Sequence, residues 1–278
     1  MAQLKIVTDS SSDVLKLNTV SFASAPLKIV TANKEYVDDE YLNVEEMVND
    51  LQEYKGRSST SCPNAEDWLQ TFGDADFVFC VTITGTLSGS YNSALSAKNI
   101  YEETYPTRKV FVLDSKSTGP EIALILEKLE ELISENKDYD TICEEITNYC
   151  QSTRLLFMLE SLKNLANNGR VNSLVAKMAG ILGIRLVGKA SIKGDLEPLN
   201  KCRGERKALE ATVENMQKEG FCGGKVIIAH CFNISIANEL KEMIVSQFPS
   251  SVIKIYSCRG LCSFYAEKGG FLIGFEAE

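Results

Sequence analysis

Residues 77–103 read FVFCVTI-TGTLSG-SYNSALSAKNIYEE: an apolar run rich in β-branched and aromatic residues, a small polar stretch, then apolar residues at helical spacing. The unit predicts a buried strand, a short loop and a helix. It recurs outward in both directions. LKIV (4–7) and KVFVL (109–113) are further strand-like runs. VEEMVNDLQEY (44–54), NAEDWLQTF (64–72) and EIALILEKLEELISE (121–135) carry apolar residues three and four apart with charges opposite. Strands alternating with helices of this length predict a mostly parallel sheet covered on both faces, because parallel neighbours need a crossover and the crossover is normally a helix.

Beyond about residue 155 the pattern changes. LLFML (155–159) is followed by a helical VNSLVAKMAGIL (171–182), then by IRLVGKASIKGDLEPL (184–199), which reads as two strands around a Lys193-Gly194-Asp195 turn. A helix (205–218), KVIIA (225–229), a helix (234–247), VIKIY (252–256) and FLIGF (271–275) complete a mixed sheet. The expected fold class is therefore α/β with two domains. Residues 1–155 form a three-layer α/β/α unit, and residues 156–278 a mixed α/β unit, a division that suits 278 residues.

Composition narrows the function classes. Apolar residues make up 44% and charged residues 24%, so disorder and coiled coil are excluded. The net charge of −9, with lysines and arginines scattered, argues against nucleic acid as a partner. No stretch reaches the roughly 18 apolar residues of a membrane span, and Thr8 and Asp9 interrupt any signal region, so a cytoplasmic location is expected. Nine cysteines without C-x-x-C spacing read as reduced thiols, mostly buried. Cys258 and Cys262, with His230 as the only imidazole in the chain, are too few to predict a metal site.

Three strand exits run into small polar residues: Thr8 to Asp13, Thr84 to Ser90 and Asp114 to Gly119. A fourth cluster, Ser58 to Cys62, precedes Pro63 and a helix start, where Thr60 or Ser61 is expected as a cap or near-cap. Helix capping accounts for any one such cluster. Several on the carboxyl edge of a parallel sheet suggest an anion site, since ligands bind there and helix starts offer unpaired donors. The chain has neither a G-x-x-x-x-G-K-[ST] loop nor a G-x-G-x-x-G turn, so a carboxylate fits better than a nucleotide phosphate. Ser88 as a nucleophile lacks the G-x-S-x-G elbow and would need His230 from the other domain as its base. An enzyme acting on a small carboxylate or phosphate in the same cleft is the alternative reading.

KIVTDSSSD (5–13), PLKI (26–29) followed by Tyr36 and Asp38, TSCP (60–63), LSGSYNSA (87–94), VLDSKSTG (112–119), NGRV (168–171) and KCRGERKAL (201–209) together resemble the DegV family, in the family's order along nearly the whole chain. The resemblance implies a bacterial, lipid-binding protein without cofactor or catalysis of its own, holding one long-chain fatty acid. It places the carboxylate on Thr60, Ser61, Ser88 and the backbone of Gly89, and implies presentation of the acid to a fatty acid kinase subunit for acyl-phosphate formation. Burying the roughly fifteen carbons of a C16 tail at about 0.8 kcal/mol each supplies on the order of 10 kcal/mol before ordering costs, so the head group need only be oriented.

The tail pocket is expected from Leu155 to Leu159, Val175, Met178, Ala179, Ile181, Leu182, Ile184 and Leu186, with Phe271 to Phe275 closing it and Phe271 and Ile273 foremost among them. Arg170, Arg203 and Arg206, with Lys207, match basic positions implied to dock the kinase, and transient contact with a membrane surface is a further expectation. Where the family commonly has a His-x-Gly-Pro-Gly segment, this chain has SFYAEKGGFLIGF (263–275), with Tyr265 and no histidine. Cys62 stands where the family often has Gln.

Overall fold

The computed structural model describes residues 2–171 and 183–278. The first sheet is wholly parallel, in the order β2 (Ser21–Ala25), β1 (Leu4–Asp9), β6 (Phe77–Thr82), β7 (Lys109–Asp114). Alternating side chains serve its two faces. Val7, Val78 and Cys80 meet α2 (Ala65–Phe72) and α3 (Ser90–Thr104) through Trp68, Phe72, Ala94 and Ala97. Ile6, Phe79 and Val81 meet α4 (Pro120–Ser134) and α5 (Tyr139–Tyr149). The result is the three-layer α/β/α arrangement expected from the strand–helix alternation.

A small antiparallel sheet, β4 (Glu35–Val37), β3 (Lys28–Val30), β5 (Ser59–Ser61), is appended with α1 (Val44–Glu53). These three-residue strands and β2 escape sequence reading, because runs so short carry almost no periodicity. The helix α5 is likewise additional to the sequence-based set.

The second sheet has the order β10 (Leu196–Arg203), β9 (Ile184–Ala190), β8 (Thr153–Leu159), β13 (Phe271–Glu276), β11 (Lys225–His230), β12 (Val252–Ser257). Only β11 and β12 pair in parallel; the other neighbours are antiparallel. One face packs on α7 (Glu205–Lys218) and α8 (Ile234–Gln247). The other faces α6 (Lys163–Asn167), α9 (Gly260–Ala266) and the first half of the chain. The helix expected over 171–182 falls on residues 172–182, outside the described residues, as do Val175, Met178, Ala179, Ile181 and Leu182 of the expected tail pocket.

Helix α4 joins the two sheets. It touches β1 and β6 on one side and β8, β11 and β13 on the other, and Ile122 to Leu126, Leu129 and Leu132 are all buried. Its first half, Ile122 to Leu126, is apolar all round, as suits a helix lodged between layers, while Glu127, Lys128, Glu130 and Glu131 give the second half a polar face. Its first turn adds a polar tie across the sheets: buried Glu121 accepts from the Thr153 hydroxyl at 2.8 Å. Burial pushes the Glu121 pKa up, against the hydroxyl's pull.

Candidate functional site

Asp9 organises the loops at the end of the parallel sheet. Its fully buried carboxylate accepts from the backbone N–H of Ile83 (3.0 Å) and the hydroxyls of Ser90 (2.6 Å) and Ser11 (2.5 Å). One side chain thus ties the ends of β1 and β6 to the start of α3, and holds the 83–90 loop that carries Ser88. Burial raises its pKa while the donors lower it. A buried carboxylate is tolerated only with such a set of donors.

The remaining hydroxyls of the first polar cluster are consumed locally. Ser10 Oγ accepts from the Leu27 N–H and Ser12 Oγ from the Val14 N–H. That cluster is structural, as capping predicts. In the second, Ser88 Oγ accepts from the Ser90 N–H at 3.2 Å, and the helix cap itself is Gly89, which offers no side chain.

The fourth cluster corrects the expected cap. Helix α2 is capped by Asn64, whose side chain accepts from Glu66 and Asp67 N–H while Asp67 returns a bond to the Asn64 N–H. Thr60 and Ser61 are therefore not caps. They lie in the edge strand β5, and Thr60 Oγ1 is 2.8 Å from the hydroxyl of Tyr265 on α9.

Helix α9 is delivered by acids of the first half. Asp38 accepts from the Gly260 and Leu261 N–H groups at 2.9 and 2.8 Å, Asp13 accepts from the Arg259 N–H at 2.9 Å, and the Arg259 guanidinium donates to Asp39 O. Acceptor oxygens at a helix start satisfy its unpaired donors. Both acids are buried, which raises the Asp38 pKa and lifts Asp13 to about 8, the Asp38 charge adding to the latter.

Between these elements lies a cavity of about 290 Å³. Its lining includes the polar Thr60, Ser61, Ser88, Arg170 and Tyr265, with Cys62 and Gly89, and an apolar surface of Leu155, Phe157, Leu159, Leu196, Leu272 and Ala266 that belongs to one packed cluster. The size is at the lower end of small-molecule sites, and the mix of a few polar groups with a mainly apolar lining is typical of them. Loop 114–118 adds Lys116 to Thr118, braced where Asp114 Oδ1 accepts from Gly85 and Lys116 N–H. The tip of the β9–β10 hairpin closes on these loops: Thr86 Oγ1 donates to Lys193 O at 2.6 Å, and a Cβ at Gly194, which has φ +83°, would collide with the Thr84 hydroxyl.

All four residues expected to hold a carboxylate thus face one cavity. The expected tail-pocket residues divide by strand parity. Leu155, Phe157 and Leu159 line the cavity, but Phe271, Ile273 and Phe275 do not; they are buried on the opposite face among Leu156, Met158, Val226 and Ile228. Leu272 between them is the one that reaches the cavity. Ile184, at the start of β9, is not part of its described lining.

Arg170 separates from Arg203 and Arg206. It is half-buried in the cavity wall, Nε donating to Leu87 O at 3.2 Å and the guanidinium also to Asn168 O. Arg203 and Arg206 are exposed, and Arg206 pairs with Glu210 at 3.1 Å. Tyr265, Leu196 and Lys116 line the cavity beyond the expected residues, and the one sequence signal for Tyr265 is that it stands in the segment where the family commonly has a histidine.

His230 closes β11, its Nδ1 accepting from the Asn233 N–H at 3.2 Å, and it is not part of the cavity lining. It cannot act there as a base for Ser88. Burial raises the pKa of Cys62, which keeps it a thiol. Among the described residues no group of three or more side chains suits a metal ion, and no helix is long and apolar enough to cross a membrane.

Residues 3–278 match the family model described as an uncharacterised protein of the DegV family. A DegV domain-containing protein of Streptococcus pneumoniae is 43% identical over 278 residues, 99% of each chain. The crystal structure of a DegV family protein from Eubacterium eligens loaded with heptadecanoic acid is 43% identical, with a TM-score of 0.97 over 99% of this chain and 100% of that one. The S. pneumoniae Fatty Acid Kinase (Fak) B3 protein loaded with linoleic acid is 42% identical, with a TM-score of 0.97 over the same shares.

Proposed function

Because the chain belongs to the DegV family, we propose that its cavity holds one long-chain fatty acid, tail inward, and presents the carboxylate to a kinase subunit. The observation that carries this reading is the cavity's mixed lining: the hydroxyls of Thr60, Ser88 and Tyr265 share it with an apolar cluster of Leu155, Phe157, Leu159 and Leu272. Solved relatives of 43% and 42% identity carry heptadecanoic and linoleic acid.

The Thr60–Tyr265 pair orients the head group. One hydroxyl donates to the other, and the second proton is left for a carboxylate oxygen. Ser88 and the Gly89 backbone supply further donors at the start of α3. Arg170 provides positive charge beside them, with two of its donor directions already committed to Leu87 O and Asn168 O. Neutral donors with one tethered guanidinium hold the acid without wrapping both of its oxygens, so an oxygen stays available to attack a phosphoryl group. The chemistry belongs to the partner, in keeping with the Fak B3 relative's name.

Arg203 and Arg206, exposed at the end of β10 and the start of α7, are the docking residues of this reading. The two halves of the chain meet near residue 155, the cytoplasm is the site of action, and brief contact with a membrane surface loads the acid. The test is a Thr60→Ala/Ser88→Ala variant assayed with a fatty acid kinase subunit and ATP. Acyl-phosphate formation at the parental rate, with parental lipid retention, would refute the assignment.

A further inference from the structure

The middle of β9 carries a glycine on the cavity face of the sheet. Leu186 and Ala190 flank Gly188 on that face, and Phe157 of β8 stands directly across from Gly188 in the register. Glycine inside a strand costs roughly 0.5–1 kcal/mol relative to alanine, so its presence calls for a close approach by something else. The something is the Phe157 ring. A Cβ at Gly188 would lie 2.7 Å from Phe157 Cε2, closer still to Cζ, and 2.7 Å from the carbonyl oxygen of Glu197 on β10. The ring therefore leans across the ladder into the space a side chain at 188 would fill.

Phe157 is 3% exposed and also lines the cavity, so its orientation sets how far the cavity extends above the sheet. We infer that the Gly188–Phe157 pair is a specificity determinant that fixes which acyl chains fit: Gly188 lets the ring lie down, and any larger residue there would stand it up into the acyl channel. This rests on the fatty-acid reading of the cavity. A chain that loses burial of one methylene loses about fourfold in affinity, the equivalent of about 0.8 kcal/mol.

The experiment compares delipidated parent, Gly188→Ala, Phe157→Leu and the double variant in competition among C14, C16 and C18 saturated acids, read by mass spectrometry of the bound fraction. Gly188→Ala is expected to shift preference toward C14 by fourfold or more. Phe157→Leu is expected to shift it toward C18, and the double variant to return toward the parent, since the methyl then occupies space the ring has left. Parental preference in Phe157→Leu, or in a folded Gly188→Ala, overturns the inference. Should Gly188→Ala not fold because of the Glu197 carbonyl, Phe157→Leu decides alone. A parent that binds none of the acids refutes the function itself, whereas binding with unaltered preference in the variants refutes only the role of this pair.

Discussion

The hydroxyls of Thr60 and Tyr265, 205 residues apart in the chain, meet at 2.8 Å in the wall of the cavity. Burial raises the Tyr265 pKa, so the phenol stays protonated and able to donate. Each hydroxyl holds the other in the direction a carboxylate would meet. Tyr265→Phe and Thr60→Ala should each weaken fatty-acid retention about three- to tenfold, the worth of one hydrogen bond. The double variant should lose less than the product of the two, because they act as a unit. Strictly multiplicative losses, measured by ligand competition, would show that the pair does not cooperate.

Asp13 gives the fold a pH dependence. Its carboxyl is shifted from 3.8 to about 8, first by burial and then by the Asp38 charge, against the pull of the Arg259 N–H. Between those two values the folded chain binds more protons than the unfolded chain, so this group lowers stability progressively as pH rises toward 8 and changes nothing further above it. Asp9, Asp38 and Glu121 are shifted in the same direction. Asp13→Asn should flatten the decline and gain on the order of 1–3 kcal/mol relative to the parent at pH 8.5. Urea unfolding at pH 5 and pH 8.5 checks this; parallel losses in both proteins would contradict it.

Asn64 and Thr60 separate folding from binding. Asn64→Ala removes a reciprocal cap and should cost about 1 kcal/mol of stability, while leaving lipid retention at the parental level. A change in retention without a change in stability would reverse the roles assigned to the two residues.

The faces of β13 can be tested in the same way. Ile273 is fully buried beneath α7 and α8, so Ile273→Ala should cost about 2–5 kcal/mol, seen in urea unfolding. Leu272→Ala should instead alter which acids are bound, read by mass spectrometry. Altered acid preference in Ile273→Ala would place the cavity on the wrong face.

The long elements were legible because their periodicity is local. The runs around Phe79, Val110 and Leu124 specify strand or helix within a dozen residues, and every strand expected in the second half is present. Helix α9 was not legible. Its sequence, GLCSFYA, has weak helix propensity and no cap of its own; its N-terminus is held by Asp38, 222 residues earlier. The same distance hid Tyr265. Phe271 and Ile273, expected in the pocket, lie on the other face of the sheet; FLIGF is apolar throughout and so gives no alternation from which to choose a face. Arg170 shares with Arg203 and Arg206 a match to basic positions of the family, which carries no information on direction, and its side chain turns inward to the Leu87 carbonyl.

Mass spectrometry of the native protein as purified, followed by organic extraction under denaturing conditions, tests the central claim most directly. One equivalent of a long-chain fatty acid per chain is the predicted result. A protein that carries none, and takes up none when incubated with long-chain acids, would contradict it.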